Sequence, residues 1–342
     1  MTQPRSPARS LTELDAWHAG SREEVIEPER LIVDPHHHLW NRPPERFELG
    51  ELMTELDSGH DVRATVFVQN NAGYREDGPE ALKPVGETDY IDTFARAAGE
   101  RKACAGIVGF ADLRLGCAVR PVLEAHIAAS PRFQGIRQQA QWDAELGSMA
   151  RVAAPRGLLH DADFRAGFAE LAPLGLSFDA WVYFTQLAEL ADLAAAFPDT
   201  AIILDHIGAP LGIGRYAGRR SDVFAQWSAG IRALAAHPNV SVKLGGLGMP
   251  SYGFGFETRD APASSAELAE AWRPYVEHCI EAFGATRAMF ESNFPIDKAT
   301  ASYGTLWNAY KRIAAAASKA EKDALFNATA RRVYDLGSAG LE

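Results

Sequence analysis

The sequence predicts a (β/α)8 barrel, a TIM barrel, with a short N-terminal extension. Three observations point there. Short apolar runs recur along the chain, stretches of helical spacing separate them, and the rhythm fills about 310 residues, enough for eight strand–helix units.

The apolar runs are Leu31–Asp34, Thr65–Gln69, Ala105–Phe110, Phe133–Arg137, Leu176–Trp181, Ala201–Asp205, Val240–Leu244 and Ala288–Phe290. Between them lie Ala/Leu/Glu-rich stretches such as Thr88–Gly99, Pro121–Ser130, Phe164–Leu174, Leu187–Phe197 and Glu267–Phe283. Asp161-Ala162-Asp163 and Ser264-Ser265 offer N-cap oxygens, and Gly175 and Gly284 sit where helix C-caps belong. Strand–helix alternation implies parallel pairing through right-handed crossovers. A doubly wound sheet is the structural alternative, but it normally carries GxGxxG after its first strand, and the glycine-rich Gly208–Gly214 follows a late one. Residues 1–30 are rich in Pro, Ser, Arg and Glu, with only a short helical stretch at Thr12–Ala19; they read as the extension, and residues 31–342 as the barrel domain.

Composition narrows the function. Of 342 residues, 47% are hydrophobic and 23% charged, which excludes wholesale disorder. Thirty-four Lys+Arg against 45 Asp+Glu give a formal −11, and with no basic run the chain is a poor nucleic-acid binder. No apolar stretch approaches the roughly 18–20 residues that cross a bilayer, and Met1-Thr2-Gln3-Pro4-Arg5 leads into polar residues. Cys104, Cys117 and Cys279 lie far apart and read as buried thiols in a reducing cytoplasm. The expectation is a cytoplasmic enzyme-sized chain acting on a small molecule, with no nucleic-acid or membrane partner; a homo-oligomer is left open.

A barrel puts its chemistry at the C-terminal ends of its strands. The first run exits as Asp34-Pro35-His36-His37-His38. Alternation places Asp34, His36 and His38 on one face and His37 on the other, so two imidazoles can converge on one ion or one substrate oxygen. Asp34 could fix its neighbours' tautomers. The sixth run ends in Asp205-His206, of which alternation lets only one face inward; His206 is the better candidate. The eighth ends in Glu291-Ser292-Asn293, with Glu291 and Asn293 two apart. Arg137 and Lys243, ending the fourth and seventh runs, suit an anionic substrate or a developing oxyanion, or else an ion pair inside the barrel. Trp181 could stack on a ring or simply fill the core. Gln69, ending the second run, and Glu87, opening the next helix, are weaker candidates.

The blocks D-P-H-H-H-L-W, G-E-T-D-Y, G-I-V-G-F-A-D-L, G-I-R-Q, L-D-H-I-G, V-S-V-K-L-G-G-L and M-F-E-S-N-F-P-I-D follow one another in order. Together they resemble the amidohydrolase-2 family, in particular its TIM-barrel hydrolases, which include sugar-lactone and pyrone-dicarboxylate lactonases. The resemblance runs from about Leu31 to Asp335. It implies that the family's strand-1 His-x-His falls on His36 and His38, its strand-6 histidine on His206, and its strand-8 acid on Asn293. There the chain departs from the family, because an amide cannot abstract a proton. Glu291, in place of the usual glycine, offers a carboxylate nearby.

The resemblance further implies hydrolysis of a lactone or related cyclic ester, with an anionic or sugar-like substrate. His36, His38 and His206 would polarise the carbonyl or the water, Glu291 would take the water's proton, and Asn293 would donate a hydrogen bond. Arg137, Lys243, Gln69 and Trp181 would meet the substrate. One divalent ion, zinc or similar, on His36, His38 and His206 and a metal-free scheme both stay open; a binuclear centre is not expected. The alternatives are a metal-dependent decarboxylase of an unsaturated or aromatic acid, and a barrel that binds a sugar-like ligand without turnover.

Overall fold

A computed structural model describes residues 9–147 and 154–337; the two ends of the chain and residues 148–153 lie outside the described residues. Its elements in order are α1 (Leu11–His18), β1 (Leu31–His37), β2 (Trp40–Arg42), β3 (Glu45–Phe47), α2 (Leu49–Leu56), β4 (Asp61–Val68), α3 (Val85–Ala98), β5 (Gly106–Gly109), α4 (Arg120–Ala129), β6 (Phe133–Ile136), α5 (Ala162–Phe168), β7 (Ser177–Ala180), α6 (Leu187–Ala196), β8 (Ile202–Leu204), α7 (Arg220–Ala235), β9 (Val240–Leu244), α8 (Ser265–Phe283), β10 (Ala288–Phe290), α9 (Tyr303–Ile313), α10 (Lys319–Asp323) and α11 (Thr329–Val333). Eight of the strands form one parallel sheet in the order β1-β4-β5-β6-β7-β8-β9-β10, the expected barrel. Each coincides with one of the eight apolar runs.

Helices close over the strands because each buries one stripe. In α8, Ser264 and Glu267 form a reciprocal capping box, and Leu268, Trp272, Tyr275, Val276, Cys279 and Phe283 face the core. Inside the barrel, Val33, Val66, Val68, Val108, Ile203 and Met289 pack with Ala330 and Tyr334 from the end of the chain. Cys104 and Cys279 are buried as expected, but Cys117 is exposed. It lies in a run of 3-10 turns whose buried side chains are Leu113 and Val119, which leaves Cys117 pointing outward.

The seam between β1 and β10 positions the site. Pro35 has no N–H, and the β1–β4 register slips between Asp34 and His37. The Asp34 carboxylate takes over part of the pairing: Oδ1 accepts from the backbone N–H of Ser292 at 2.9 Å and of His36 at 3.3 Å, and Oδ2 accepts from the Tyr303 hydroxyl at 2.9 Å. Beyond the strand ends, His38 N–H donates to Phe294 O at 2.7 Å and Asn293 N–H to His36 O at 2.9 Å. The histidines of β1 and the loop after β10 are therefore joined directly.

The N-terminal segment lies along this same rim. His18 Nε2 pairs with Lys298 O at 2.8 Å, Arg9 donates to Glu257 O at 2.6 Å, and Trp17 Nε1 donates to Asp260 O at 2.9 Å. These contacts tie α1 to the loops that follow β9 and β10. No helix among the described residues is long and apolar enough to cross a membrane.

Candidate active site

His36 and His38 share a face as alternation requires, with Nε2 atoms 3.2 Å apart, while His37 turns away to pair with the Thr65 hydroxyl at 2.8 Å. His38 Nδ1 pairs with Val68 O at 2.8 Å. Burial holds both His36 and His38 down, His36 at about 4 with the Lys243 ammonium adding to the effect and His38 well below its usual value, so both rings are neutral near pH 7.

The expectation that only one of Asp205 and His206 faces inward is corrected. β8 ends at Leu204, and strand alternation ends with it. Residues 205–208 form a tight turn in which His206 (φ 54°) and Ile207 (φ 51°) are left-handed, so consecutive side chains both stay inside. The Tyr252 hydroxyl supports that turn by donating to His206 O at 2.6 Å. His36 and His206 consequently meet with ring centroids 4.6 Å apart.

Glu291 joins them. Its Oε1 stands 2.6 Å from His206 Nδ1 and its Oε2 2.8 Å from His36 Nδ1. Burial would raise this carboxyl, but the imidazoles of His206 and His36 outweigh burial and hold it at about 2. Burial likewise pulls on His206, and the Glu291 and Asp205 carboxylates reverse the effect and raise it. The Gly245-Gly246 pair makes this approach sterically possible. A Cβ at Gly245 would collide with Glu291, and one at Gly246 (φ 69°) would lie 2.6 Å from His206 Cβ.

The cations sit deeper than a substrate-facing rim. Lys243 is fully buried, with Nζ 2.5 Å from Asp179 Oδ2, 3.0 Å from Asp205 Oδ1 and 3.1 Å from His36 Nδ1, which is the internal ion-pair arrangement. Arg137 donates to Gln69 O at 2.5 Å, reaches His36 Nε2 at 3.3 Å, and has a buried Nε without a partner among the described residues. Trp181 stands edge-on to His206 at 5.8 Å, and among the described residues neither its indole N–H nor the buried Gln69 Oε1 has a partner. Gln69 also lines a cleft with Asn71, Phe110, Arg114, Gln138 and Leu158. Glu87 holds the loop after β4, its Oε1 accepting from the Asn70 and Ala72 N–H groups at 2.9 and 2.7 Å. Asn293 meets a residue that sequence reasoning missed: its Nδ2 donates to Asp297 Oδ1 at 2.8 Å. Asp179 and Asp297, both fully buried, join the polar interior; Tyr334 reaches Asp179 from the last helical turns.

The donor set suits a divalent cation. His36, Asp205 and His206 bring ligand atoms within 4.8 Å of one another, so Asp205 joins the expected histidines. Glu291 backs the Nδ1 atoms of His36 and His206, as carboxylates commonly do behind metal-bound imidazoles. The 3.2 Å between His36 Nε2 and His38 Nε2 also matches two nitrogens each about 2.1 Å from one tetrahedral ion.

With this geometry in place, a family model described as Amidohydrolase matches residues 33–336. The chain belongs to the amidohydrolase family. It is 34% identical over 318 residues to the uncharacterized protein y4mH of Sinorhizobium fredii, covering 89% of this chain and 98% of that protein. It is 31% identical over 326 residues to an L-fucono-1,5-lactonase of Burkholderia multivorans, covering 90% and 96%. Among solved structures, an amidohydrolase from Burkholderia multivorans, determined with bound Hepes and again with bound zinc, matches with a TM-score of 0.69 at 26% identity over 90% of this chain and 100% of that one. As an amidohydrolase, the chain carries its polar cluster at the barrel end where the fold predicts chemistry.

Proposed function

We propose that this amidohydrolase opens the ring of a hydroxylated sugar-type lactone by attack of water on its carbonyl. The observation that carries the reading is the Glu291 carboxylate held between His206 Nδ1 and His36 Nδ1; the 31% identity to an L-fucono-1,5-lactonase supports the substrate class.

In this reading Glu291 is not the proton acceptor expected from sequence. Both of its oxygens lie on histidine rings, and it stays ionised. Its work is to fix His206 with Nδ1–H bound, leaving Nε2 to take a proton from the attacking water and return it to the ring oxygen that leaves. The unpaired Arg137 Nε–H and the unpaired Trp181 N–H are donors for the carbonyl oxygen as it gains charge, and Lys243 holds Asp205 and Asp179 in place beneath. Gln69 offers its free carbonyl oxygen to a substrate hydroxyl. The base role of His206 belongs to the metal-free site; were His36, Asp205 and His206 to hold a divalent ion, with His38 adjacent, the ion would supply Lewis-acid polarisation of the carbonyl or the water in place of that base.

The test is a panel of aldono-1,4- and 1,5-lactones, L-fucono-1,5-lactone included, with acid release followed in weak buffer. Ring opening that Glu291→Gln cuts about 100-fold is the expected result. No turnover of any member, or carbon dioxide release from an aromatic or unsaturated acid, overturns it.

A further inference from the structure

Asp297 lies beyond Pro295, outside every strand, yet it is fixed as firmly as the histidines. Its Oδ1 accepts from Asn293 Nδ2 at 2.8 Å and its Oδ2 from Gly248 N–H at 3.0 Å. A Cβ at position 248 would stand 3.0 Å from that carboxylate, so bare backbone there permits the approach. The main chain is anchored too. Asp297 N–H donates to Asn293 O at 3.2 Å, Asp297 O accepts from Thr300 N–H at 2.9 Å, and the Thr300 hydroxyl closes on Gly248 O at 2.7 Å.

Asn293 is held just as closely. Its backbone is left-handed (φ 52°), and its N–H is committed to His36 O. An amide shows one end to each side. With Asp297 ionised its Oδ1 accepts from Nδ2, which turns the Asn293 N–H2 toward it and the carbonyl oxygen Oδ1 away. That Oδ1 is buried and without a partner among the described residues. A buried acceptor beside His36, with its orientation enforced, waits for a donor from outside the protein.

We propose that Asp297 is a positioning residue that locks the Asn293 amide with its oxygen toward the ligand, so that Asn293 reads a hydroxyl group on the substrate. This rests on the lactone reading, and it deepens it by requiring a free O–H near the carbonyl. It also reverses the donor role expected of Asn293 from sequence.

Two variants separate the lock from bulk structure. In D297N, Gly248 N–H keeps the new amide's oxygen, so its N–H2 faces Asn293. Asn293 then flips and presents a donor where an acceptor stood. In the reciprocal N293D/D297N chain, the amide introduced at position 297 donates to the carboxylate introduced at position 293, whose other oxygen again accepts. With L-fucono-1,5-lactone, D297N should raise KM about tenfold, the loss of one substrate hydrogen bond. KM for δ-valerolactone, which has no hydroxyl, should barely move, and the reciprocal chain should recover most of the loss. A readout without turnover accompanies this: the Asn293 side-chain ¹⁵N–H2 should be protected from solvent exchange in the unmodified protein and lose that protection in D297N. Equal KM losses on both lactones, no recovery in the reciprocal chain, or unchanged amide exchange would each overturn the proposal. If the unmodified protein opens neither lactone, the lactone reading fails on its own, and the exchange measurement still decides whether the lock exists.

Discussion

The Tyr334 hydroxyl donates to Asp179 Oδ2 at 2.7 Å, although one residue comes from the end of the described chain and the other from the fifth barrel strand, β7. Lys243 Nζ reaches the same oxygen at 2.5 Å and His36 Nδ1 at 3.1 Å, so a polar thread runs from Tyr334 up to the histidine cluster. Burial and the neighbouring Asp205 raise the Asp179 carboxyl to about 6 against the pull of Lys243, which makes every donor it retains important. Tyr334→Phe preserves the ring and deletes one donor. Stability to urea should fall by about 2 kcal/mol, the range for a hydrogen bond to a charged group, with kcat reduced and KM little changed. An unaltered denaturation midpoint would show that the thread does not support the fold.

Glu291 and His206 make a second prediction. Glu291→Gln keeps the shape but leaves His206 with a neutral partner, and kcat should drop about 100-fold, as when a carboxylate behind a working imidazole is lost. Glu291→Asp, one methylene shorter, should recover little, because it cannot reach both His206 and His36. Circular dichroism separates this effect from misfolding.

Metal content is the third. Elemental analysis of protein purified without chelator should find about one divalent ion per chain if His36, Asp205 and His206 are used as ligands. Asp205→Ala and His36→Ala should each lose the ion. Retention in both variants would place any bound metal elsewhere.

The fourth concerns acid. His126 lies away from the site, stacked on Phe133 at 4.7 Å and wedged between the Thr88 hydroxyl (2.7 Å) and Phe110 O (3.0 Å). Burial pushes its imidazole down to about 4; Arg75 assists and Asp89 opposes. The unfolded chain therefore binds a proton between about pH 6.5 and 4 that the folded chain refuses, so stability is full above 6.5 and declines as pH falls toward 4. In His126→Gln the slope of unfolding free energy against pH across that window should lessen by about 1.4 kcal/mol per pH unit, one proton's worth. An identical slope would show that the folded and unfolded chains bind the His126 proton alike, so that burial does not hold this imidazole down.

The barrel was legible because parallel strands buried on both faces read as continuous apolar runs, and two of them, Val240–Leu244 and Ala288–Phe290, end where the structure ends them. His36 and His38 were legible because their spacing survives in a strand. Asp205 was misjudged because alternation was extended one turn too far, into a left-handed loop that no periodicity announces. Asp297 was invisible for a related reason: it follows Pro295 in a turn, and only Gly248 and Asn293, distant or four residues back, show what it does. Tyr334 carried no signal at all, since nothing local tells that a tyrosine from the last helical turns enters the barrel from below. The glycine pair at 245–246 stands within V-S-V-K-L-G-G-L, yet its purpose, room for Glu291 and His206, becomes visible only in three dimensions.

Asp34 does two jobs with one carboxylate, fastening the first strand to the last and steadying the backbone of His36. Assembly and competence therefore arrive together. A growing or prematurely ended polypeptide that stops short of residues 291–292 possesses its opening histidines but neither their carboxylate partner nor a finished wall to stand in. Chains cut short of this seam should therefore lack an assembled site.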